Sequence, residues 1–238
     1  MSAGGPVPDI VRIVTGPVWL LPQDAFTGRP PELPFTALVE RRLDSGGWVP
    51  EDGVPVVRTP GGALVLPSLA SRHPAPVPAA VRRLRVRLVS PYLLDAEHPD
   101  GVGFDAPSWT VPRATRIRLY PLPAYPFPPG TRLLRGRVRR VGGTAVAGAT
   151  VVGRARTDGG HLPRIPEWAE YAATAGDGSF RLPLRRVGSK SPPPPDSGGP
   201  DDPEAEWFTV TARADTGEAS VHPTARTVRD SDQLIEIP

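Results

Sequence analysis

Apolar and polar side chains alternate along several short stretches of this chain. Between residues 83 and 88 every odd position is arginine and every even position is leucine or valine. Arg135, Arg137 and Arg139 alternate with glycine and valine in the same way. A period of two places successive side chains on opposite faces of a strand. The pattern therefore predicts antiparallel strands with one buried face and one arginine-bearing face.

Similar short stretches, separated by turn-forming residues, predict strands throughout the chain. Segments 44–47 and 52–53 combine aspartate with glycine, which is typical of turns between strands. Segment 167–174 differs, because it follows Pro166 and contains residues that favour helix; it predicts one or two helical turns. The predicted strands are 10–14, 36–42, 55–59, 63–66, 83–89, 115–120, 133–141, 150–156, 179–184, 207–212, 225–228 and 234–237.

A hairpin sequence occurs twice, at 58–67 and at 174–183. In both copies a glycine-containing turn is followed by an alternating strand that ends in Leu-Pro. Aligning Gly62 with Gly178 places apolar residues of one copy on apolar residues of the other. The repeat predicts two similar all-β units in tandem.

The repeat divides the chain into an N-terminal unit, 1–122, and a C-terminal unit, 131–238, joined by a linker, 123–130. Prolines recur through the linker, so we expect an extended, semi-rigid backbone similar to polyproline II. Tyr125 and Phe127 carry large apolar surfaces. They predict that the linker packs against one of the units.

The chain is rich in residues that interrupt regular structure, with 34 prolines and 25 glycines among 238 residues. This content approaches that of low-complexity sequences. Apolar alternation nevertheless persists between the prolines, which favours many short strands with long turns. Segment 189–206 contains several prolines and acidic residues, and is predicted to be a flexible loop.

The absence of cysteine excludes disulfides, thiolate metal ligands and cysteine nucleophiles, and it is ordinary in a reducing cytosol. The first residues lack a basic segment, and the apolar run 10–21 is interrupted by Arg12, Gly16 and Pro17. We therefore expect no signal peptide, no membrane span and a cytoplasmic location. The net charge is only +3, and the high isoelectric point follows from the preference for arginine over lysine, so nucleic acid is not expected as a partner. The preference for arginine is typical of a GC-rich bacterial genome.

The second unit resembles a known family of small β domains. The matching segments are Leu-Arg-Gly-Arg-Val at 134–138, Thr-Ala-Val-Ala-Gly-Ala-Thr-Val at 144–151, Asp-Gly-Ser-Phe at 177–180 and Phe-Thr-Val-Thr-Ala at 208–212. They resemble the carboxypeptidase regulatory-like domain, a transthyretin-like β-sandwich. The first unit resembles the same fold on fewer residues. The resemblance implies two tandem transthyretin-like or immunoglobulin-like β-sandwiches with a proline-rich linker and loops.

Domains of this family are accessory modules of enzymes, adhesins, transporters and multi-protein assemblies, and they are not catalytic themselves. Tandem copies in bacteria also look similar to accessory proteins of phage-tail-like contractile particles. The resemblance therefore implies a non-catalytic structural or interaction protein, with other proteins of a larger assembly as partners. A carbohydrate- or peptide-binding module is the alternative, and the sequence leaves open whether a small ligand binds.

Catalytic motifs are not found in the sequence. It lacks His-x-x-x-His, Gly-x-Ser-x-Gly and a phosphate-binding loop, so we predict that the protein is not an enzyme and uses no cofactor. The acidic cluster at 95–101 contains the carboxylates that a hard cation prefers, but Pro99 stands where an EF-hand loop needs a ligand. A solvated loop is the simpler interpretation.

Arginines and tryptophans are the candidate contact residues. The arginines of the two alternating strands could grip an acidic partner, or they could form a solvated face with cross-strand ion pairs. Three tryptophans outside the predicted strands could meet a partner, a domain interface or a carbohydrate. The candidates are Arg83, Arg85, Arg87, Arg135, Arg137, Arg139, Trp48, Trp109 and Trp168.

Overall fold

A computed structural model describes residues 18–67, 82–106, 113–155, 168–185, 208–215, 217–223 and 232–238. These residues are all-β and contain no α-helix. In the part of the chain so described, no helix has the length and apolar character needed to cross a bilayer.

Nine strands lie in the first half of the described chain and seven in the second half. In the first half they are β1 (Val18–Asp24), β2 (Thr36–Arg42), β3 (Trp48–Pro50), β4 (Val57–Arg58), β5 (Leu64–Val65), β6 (Arg82–Val89), β7 (Leu93–Leu94), β8 (Val102–Ala106) and β9 (Arg113–Pro121). In the second half they are β10 (Leu133–Arg140), β11 (Thr150–Ala155), β12 (Trp168–Ala173), β13 (Ser179–Pro183), β14 (Thr209–Ala214), β15 (Gly217–Val221) and β16 (Gln233–Ile237).

Each half contributes two sheets, and the fold is sandwich-like. The first half forms a sheet in the order β4-β5-β1-β9-β7 and another in the order β3-β2-β6-β8. The second half forms β13-β10-β16 and β12-β11-β14-β15.

One strand-pairing scheme occurs in both halves. β1 lies between β5, antiparallel, and β9, parallel, and β10 lies in the same way between β13 and β16. In the other sheets β2 and β6 form an antiparallel centre flanked by β3 and β8, as β11 and β14 are flanked by β12 and β15. The order of the equivalent strands along the chain is also the same, and β4 and β7 are additions of the first half.

The predicted superposition of the two hairpins is confirmed at the level of the turn. Gly62 and Gly178 both adopt a positive φ, 82° and 76°, which a residue with a Cβ rarely adopts. Each glycine N–H donates to the carbonyl three residues earlier at 2.9 Å. The N–H of that earlier residue donates to the carbonyl just after the glycine, at 2.8 Å in the first hairpin and 2.9 Å in the second.

Alternation along the strands builds a separate apolar cluster in each half. Complete burial of one Leu or Phe side chain contributes about 1.5–3 kcal/mol, so these clusters are the main source of stability. Side chains at the centre of the first cluster include Leu20, Leu66, Leu84, Ile117 and Leu119. Those at the centre of the second include Leu134, Phe180, Leu182, Phe208 and Ile235.

The helical turns predicted for 167–174 are wrong, because this segment contains β12. It pairs antiparallel with β11 from Thr150↔Ala173 to Ala155↔Trp168. Trp168, Glu170 and Ala172 are buried in alternation with less buried neighbours, as a strand requires. Pairing with a neighbouring strand thus overrides the helical preference of alanine and glutamate.

Most other predicted strands are confirmed within a few residues. The predicted strands 10–14 and 225–228, and the predicted flexible loop 189–206, lie outside the described residues. The prediction missed β1, which follows Pro17 in the sequence and contains Pro22. It also missed the short strands β3, β7, β8 and β15.

The aromatic residues after β9 pack as predicted. Tyr125 is buried, and its ring centroid lies 5.6 Å from that of Phe26. The Phe127 ring lies 5.1 Å from Phe26 and 4.6 Å from Tyr125. These three rings fasten the segment between β9 and β10 to the first half.

Candidate functional site

Two arginines of β6 share one carboxylate. Arg85 Nε donates to Glu40 Oε2 at 2.7 Å, and Arg87 donates through Nε and Nη2 to both oxygens at 2.9 Å. Glu40 lies opposite Arg85 on the neighbouring strand β2. The hydrogen bond from Arg87 is the main cause that lowers the pKa of Glu40. Of the two interpretations of the sequence, the sheet face with cross-strand ion pairs is therefore the one that forms at Arg85 and Arg87.

Two other candidates lie beside this ion pair. Arg83 is exposed and stands opposite Asp105 of β8 in the antiparallel register. Trp48 lies on β3, with the Arg85 guanidinium 4.3 Å from its ring centroid. A cation on an aromatic face is favourable by about 0.5–1 kcal/mol at such sites. An arginine of the same chain therefore lies over one face of the Trp48 ring.

The arginines of β10 have a different environment. Arg135 and Arg137 are exposed and Arg139 is half-buried. β10 and β6 belong to different sheets, so strand pairing does not bring the two sets of arginines into one continuous face. The only described carboxylate directly opposite a β10 arginine in the paired register is that of Glu236, opposite Arg139.

Of the remaining tryptophan candidates, the structure describes Trp168. It was predicted as a contact residue outside the strands, but it is 7% exposed and belongs to the core of the second half. Its ring lies edge-on to Phe208, at 6.2 Å between centroids. The reason is β12, whose alternation points this side chain inward. Trp109 lies outside the described residues.

Sequence reasoning missed the residues that join the two halves. Arg185, just after β13, donates to both oxygens of Glu170 at 2.8 and 2.7 Å, and Glu170 is only 3% exposed. The same guanidinium lies 4.3 Å from the ring centroid of Phe26 in the first half. Beside it, the ring of Tyr120 lies 5.4 Å from that of Tyr171. No local sequence signal marks these contacts, because each joins strands distant in the chain.

A buried tyrosine–aspartate pair anchors the segment between the halves. Tyr125 donates its hydroxyl to Asp24 Oδ2 at 2.7 Å, and Oδ1 accepts the Phe26 N–H at 2.8 Å. Burial, reinforced by the hydrogen bond to the Asp24 carboxylate, raises the pKa of Tyr125 above its ordinary value of 10.0. The neutral phenol is therefore the form that the fold stabilises.

We expect this pair to make stability depend on pH in the alkaline range. Between the unfolded pKa near 10 and the higher folded pKa, the native protein binds a proton that the unfolded chain has lost. Its contribution is complete below about pH 10 and is lost as the pH rises further. Urea unfolding between pH 8 and 11 should show stability falling with pH in the native protein and falling less steeply in Tyr125→Phe. Equal slopes in the two proteins would contradict this assignment.

The acidic loop after β7 forms local hydrogen bonds rather than a cation site. Asp95 Oδ1 accepts the His98 N–H at 2.9 Å, and His98 Nδ1 lies 3.2 Å from the same carboxylate. Burial is the main cause that raises the pKa of Asp95. Glu97 accepts the Tyr120 hydroxyl at 2.7 Å. Among the described residues no group of three or more His, Asp or Glu side chains could hold a metal ion.

A cleft of about 470 Å³ lies between this loop and the second half. Its walls include Arg87, Asp95 and His98 from the first half, and Gly148 and Arg213 from the second. Arg87 is bonded to Glu40, Asp95 to His98 and Arg213 to the neighbouring strand's glutamate. The charged groups of the cleft are thus largely paired within the protein.

Comparison with known proteins gives one structural likeness. No protein-family model and no curated protein sequence matches the chain. Among solved structures, the chain is similar to chlorocatechol 1,2-dioxygenase from Pseudomonas putida, with a TM-score of 0.27 and 16% sequence identity. The match covers 44% of this chain and 58% of the dioxygenase chain. At this TM-score the likeness carries no argument about fold or activity.

Proposed function

We propose that this chain is a non-catalytic structural or interaction protein built of two tandem transthyretin-like β-sandwich units. In this proposal the units are 1–122 and 131–238, joined by the segment 123–130. It serves in the cytoplasm as an accessory component of a larger protein assembly, such as a phage-tail-like contractile particle. The observation that carries the proposal is the strand-pairing scheme that occurs twice along the chain.

The junction between the two halves supports a building role. The guanidinium of Arg185 joins Glu170 of the second half to the Phe26 ring of the first. Arg118 of β9 lies 5.1 Å from the ring centroid of Tyr171 on β12 and adds a second cation–ring contact. Side-chain contacts of this kind favour one relative orientation of two units, which suits a spacer or adaptor in an assembly.

Sheet edges offer further surfaces for partners. β8 and β15 are the last strands of the two four-stranded sheets, so each has a side that pairs with no described strand. An unpaired strand edge accepts a strand of another chain through main-chain hydrogen bonds. These edges and the arginine-bearing strands would supply the contacts within the assembly.

The carbohydrate- or peptide-binding alternative has less support among the described residues. It relied on tryptophans outside the predicted strands; Trp168 is a core residue and Arg85 lies over the ring of Trp48, whereas Trp109 lies outside the described residues. The cleft between the halves likewise has its arginines paired internally. Trp48 and Trp168 therefore do not form a platform of exposed rings on which a sugar could stack.

The native mass of the chain in a lysate of its host tests the proposal. We expect the chain in a particle far larger than its own 25.4 kDa. A chain that runs near its monomer mass would remove the proposed role as a stable component of an assembly.

A further inference from the structure

The outer face of the sheet β13-β10-β16 carries four arginines. Arg135, Arg137 and Arg139 lie on β10, and Arg181 lies on the neighbouring strand β13. We call these four residues the β10 arginine face. Their side chains alternate with the buried core residues of the same strands, such as Val138, and so they point away from the core.

Two of these arginines face each other across the strands. Arg135 and Arg181 are direct partners in the antiparallel register of β10 and β13. Like charges directly opposite each other on a sheet are destabilising. Burial lowers the pKa of Arg181, and the charge of Arg135 adds to this effect. The fold therefore holds two cations together at a cost in stability.

Arg181 also has an unused hydrogen-bond donor. Its Nη1 donates to the carbonyl of Pro123 at 2.9 Å, and its guanidinium lies 5.3 Å from the ring centroid of Phe127. Its Nε is buried and has no hydrogen-bond partner. A buried donor without an acceptor is unfavourable in the free protein.

Among the described residues, several arginines on other strands are ion-paired, unlike those of the β10 arginine face. On β6, Arg85 and Arg87 share the carboxylate of Glu40, and on β14, Arg213 bonds to Glu218 at 2.7 Å. Within the described ranges, no ion pair involves any arginine of the β10 face. Two carboxylates lie nearby without such a pair: Glu236 stands opposite Arg139, and Asp177 accepts from Ser179. The hydrogen bonds from Ser179 are the main cause that lowers the pKa of Asp177, and the charge of Arg137 adds to this effect.

We propose that Arg135 and Arg181 form a carboxylate-binding site, and that the β10 arginine face docks an extended acidic segment of a partner protein. Guanidinium groups bind carboxylates in a planar, two-bonded geometry. Arginines at alternate positions repeat about every 6.6–6.8 Å, which is also the repeat of alternate acidic side chains in an extended peptide. The inference rests on the proposed role in an assembly and names the chemistry of the partner.

The chemistry of the face favours a protein over a single-stranded nucleic acid. Sequence-independent binding of single strands uses aromatic side chains on which the bases stack. The outward positions of β10, β13 and β16 in the described structure carry none; they hold the four arginines, Leu133, Ser179, Pro183, Leu234 and Glu236. Leu234 is 51% exposed and would add apolar contact with a peptide.

Fluorescence anisotropy with the full chain tests the proposal. The probe is a labelled extended peptide with glutamate at alternate positions, and the matched peptide has glutamine there. We expect the double variant Arg135→Gln/Arg181→Gln to bind the glutamate peptide at least 10-fold more weakly than the native protein. The control Arg83→Gln/Arg213→Gln, with the same change in net charge on other surfaces, should lose less than about 2-fold.

A stability measurement separates binding from folding. Because Arg135→Gln removes the cross-strand repulsion, we expect this single variant to raise Tm by roughly 1–3 °C while it weakens peptide binding. If Arg135 had a merely structural role, its substitution would lower Tm and weaken peptide binding together. A lowered Tm together with weakened binding would overturn the proposal.

Three other results would overturn it. The first is an equal loss of peptide affinity in the two double variants. The second is that the native protein binds the glutamate peptide no better than the glutamine peptide, or binds neither. The third is that an oligothymidine of the same charge binds more tightly than the glutamate peptide, through Arg135 and Arg181. Native fractionation of host cells that carry Arg135→Gln/Arg181→Gln keeps this failure distinct from failure of the proposed function. If native chain and variant both remain in a large particle, the arginine face is not the docking site although the assembly role stands.

Discussion

Gly136→Ala is expected to reduce the free energy of unfolding by about 3 kcal/mol or more. Gly136 lies in β10, between β13 and β16. A Cβ at this position would lie 2.4 Å from the carbonyl oxygen of Gln233 and 2.6 Å from Phe180 Cζ. The first is backbone of a paired strand and the second belongs to a ring that is 1% exposed, so neither can move cheaply.

Gly176→Ala is the matched control for this experiment. Gly176 belongs to the hairpin before β13, and a Cβ there would meet no atom within 4 Å. Its φ lies outside the left-handed region, so the substitution changes stability by no more than about 0.5 kcal/mol. Equilibrium urea unfolding followed by tryptophan fluorescence compares the two variants. Similar small losses in both would contradict the close packing of the three strands.

Arg185→Ala is expected to destabilise the protein by about 2–3 kcal/mol and to loosen the contact between the halves. The substitution leaves the buried carboxylate of Glu170 without its two hydrogen bonds, and an uncompensated buried charge is the costly result of breaking such a pair. It also removes the cation from the face of Phe26. The Arg185 side chain is 43% exposed, so water reaches the site and keeps the loss below that of a fully buried pair.

Arg213→Ala provides the comparison for this pair. Arg213 bonds to Glu218 on the next strand with similar geometry, but the side chains are 73% and 45% exposed. Exposed pairs contribute about 0–1 kcal/mol.

We expect Arg185→Ala, and not Arg213→Ala, to make the segment 123–130 more sensitive to limited proteolysis and to lower the urea midpoint strongly. In Arg185→Ala/Glu170→Gln part of the stability should return, because no buried charge remains. Equal effects of the two single substitutions would contradict the junction described above.

The strands that the sequence predicts best are those with the strictest alternation. β6 and β10 carry arginine at nearly every second position, so period two is unambiguous there. β12 was mistaken for helical turns because its residues between Trp168 and Ala173 are mainly alanine and glutamate. Its strand conformation comes from pairing with β11, and a pairing partner cannot be read from local composition.

The candidate site shows the same limit. The sequence predicts which arginines face outward, but the partner that neutralises Arg85 and Arg87 is Glu40, 45 and 47 residues away. Which arginines stay unpaired depends on strand register, and so does the opposition of Arg135 and Arg181. Trp168 moved from candidate contact residue to core residue for the same reason.

Size fractionation of a native host lysate, with detection of this chain in each fraction, tests the assembly role most directly. We expect the chain to migrate with a megadalton particle and to be released only by denaturant. Migration of the native chain as a free species near 25.4 kDa would contradict the assembly role and would move the small-ligand alternative to first place.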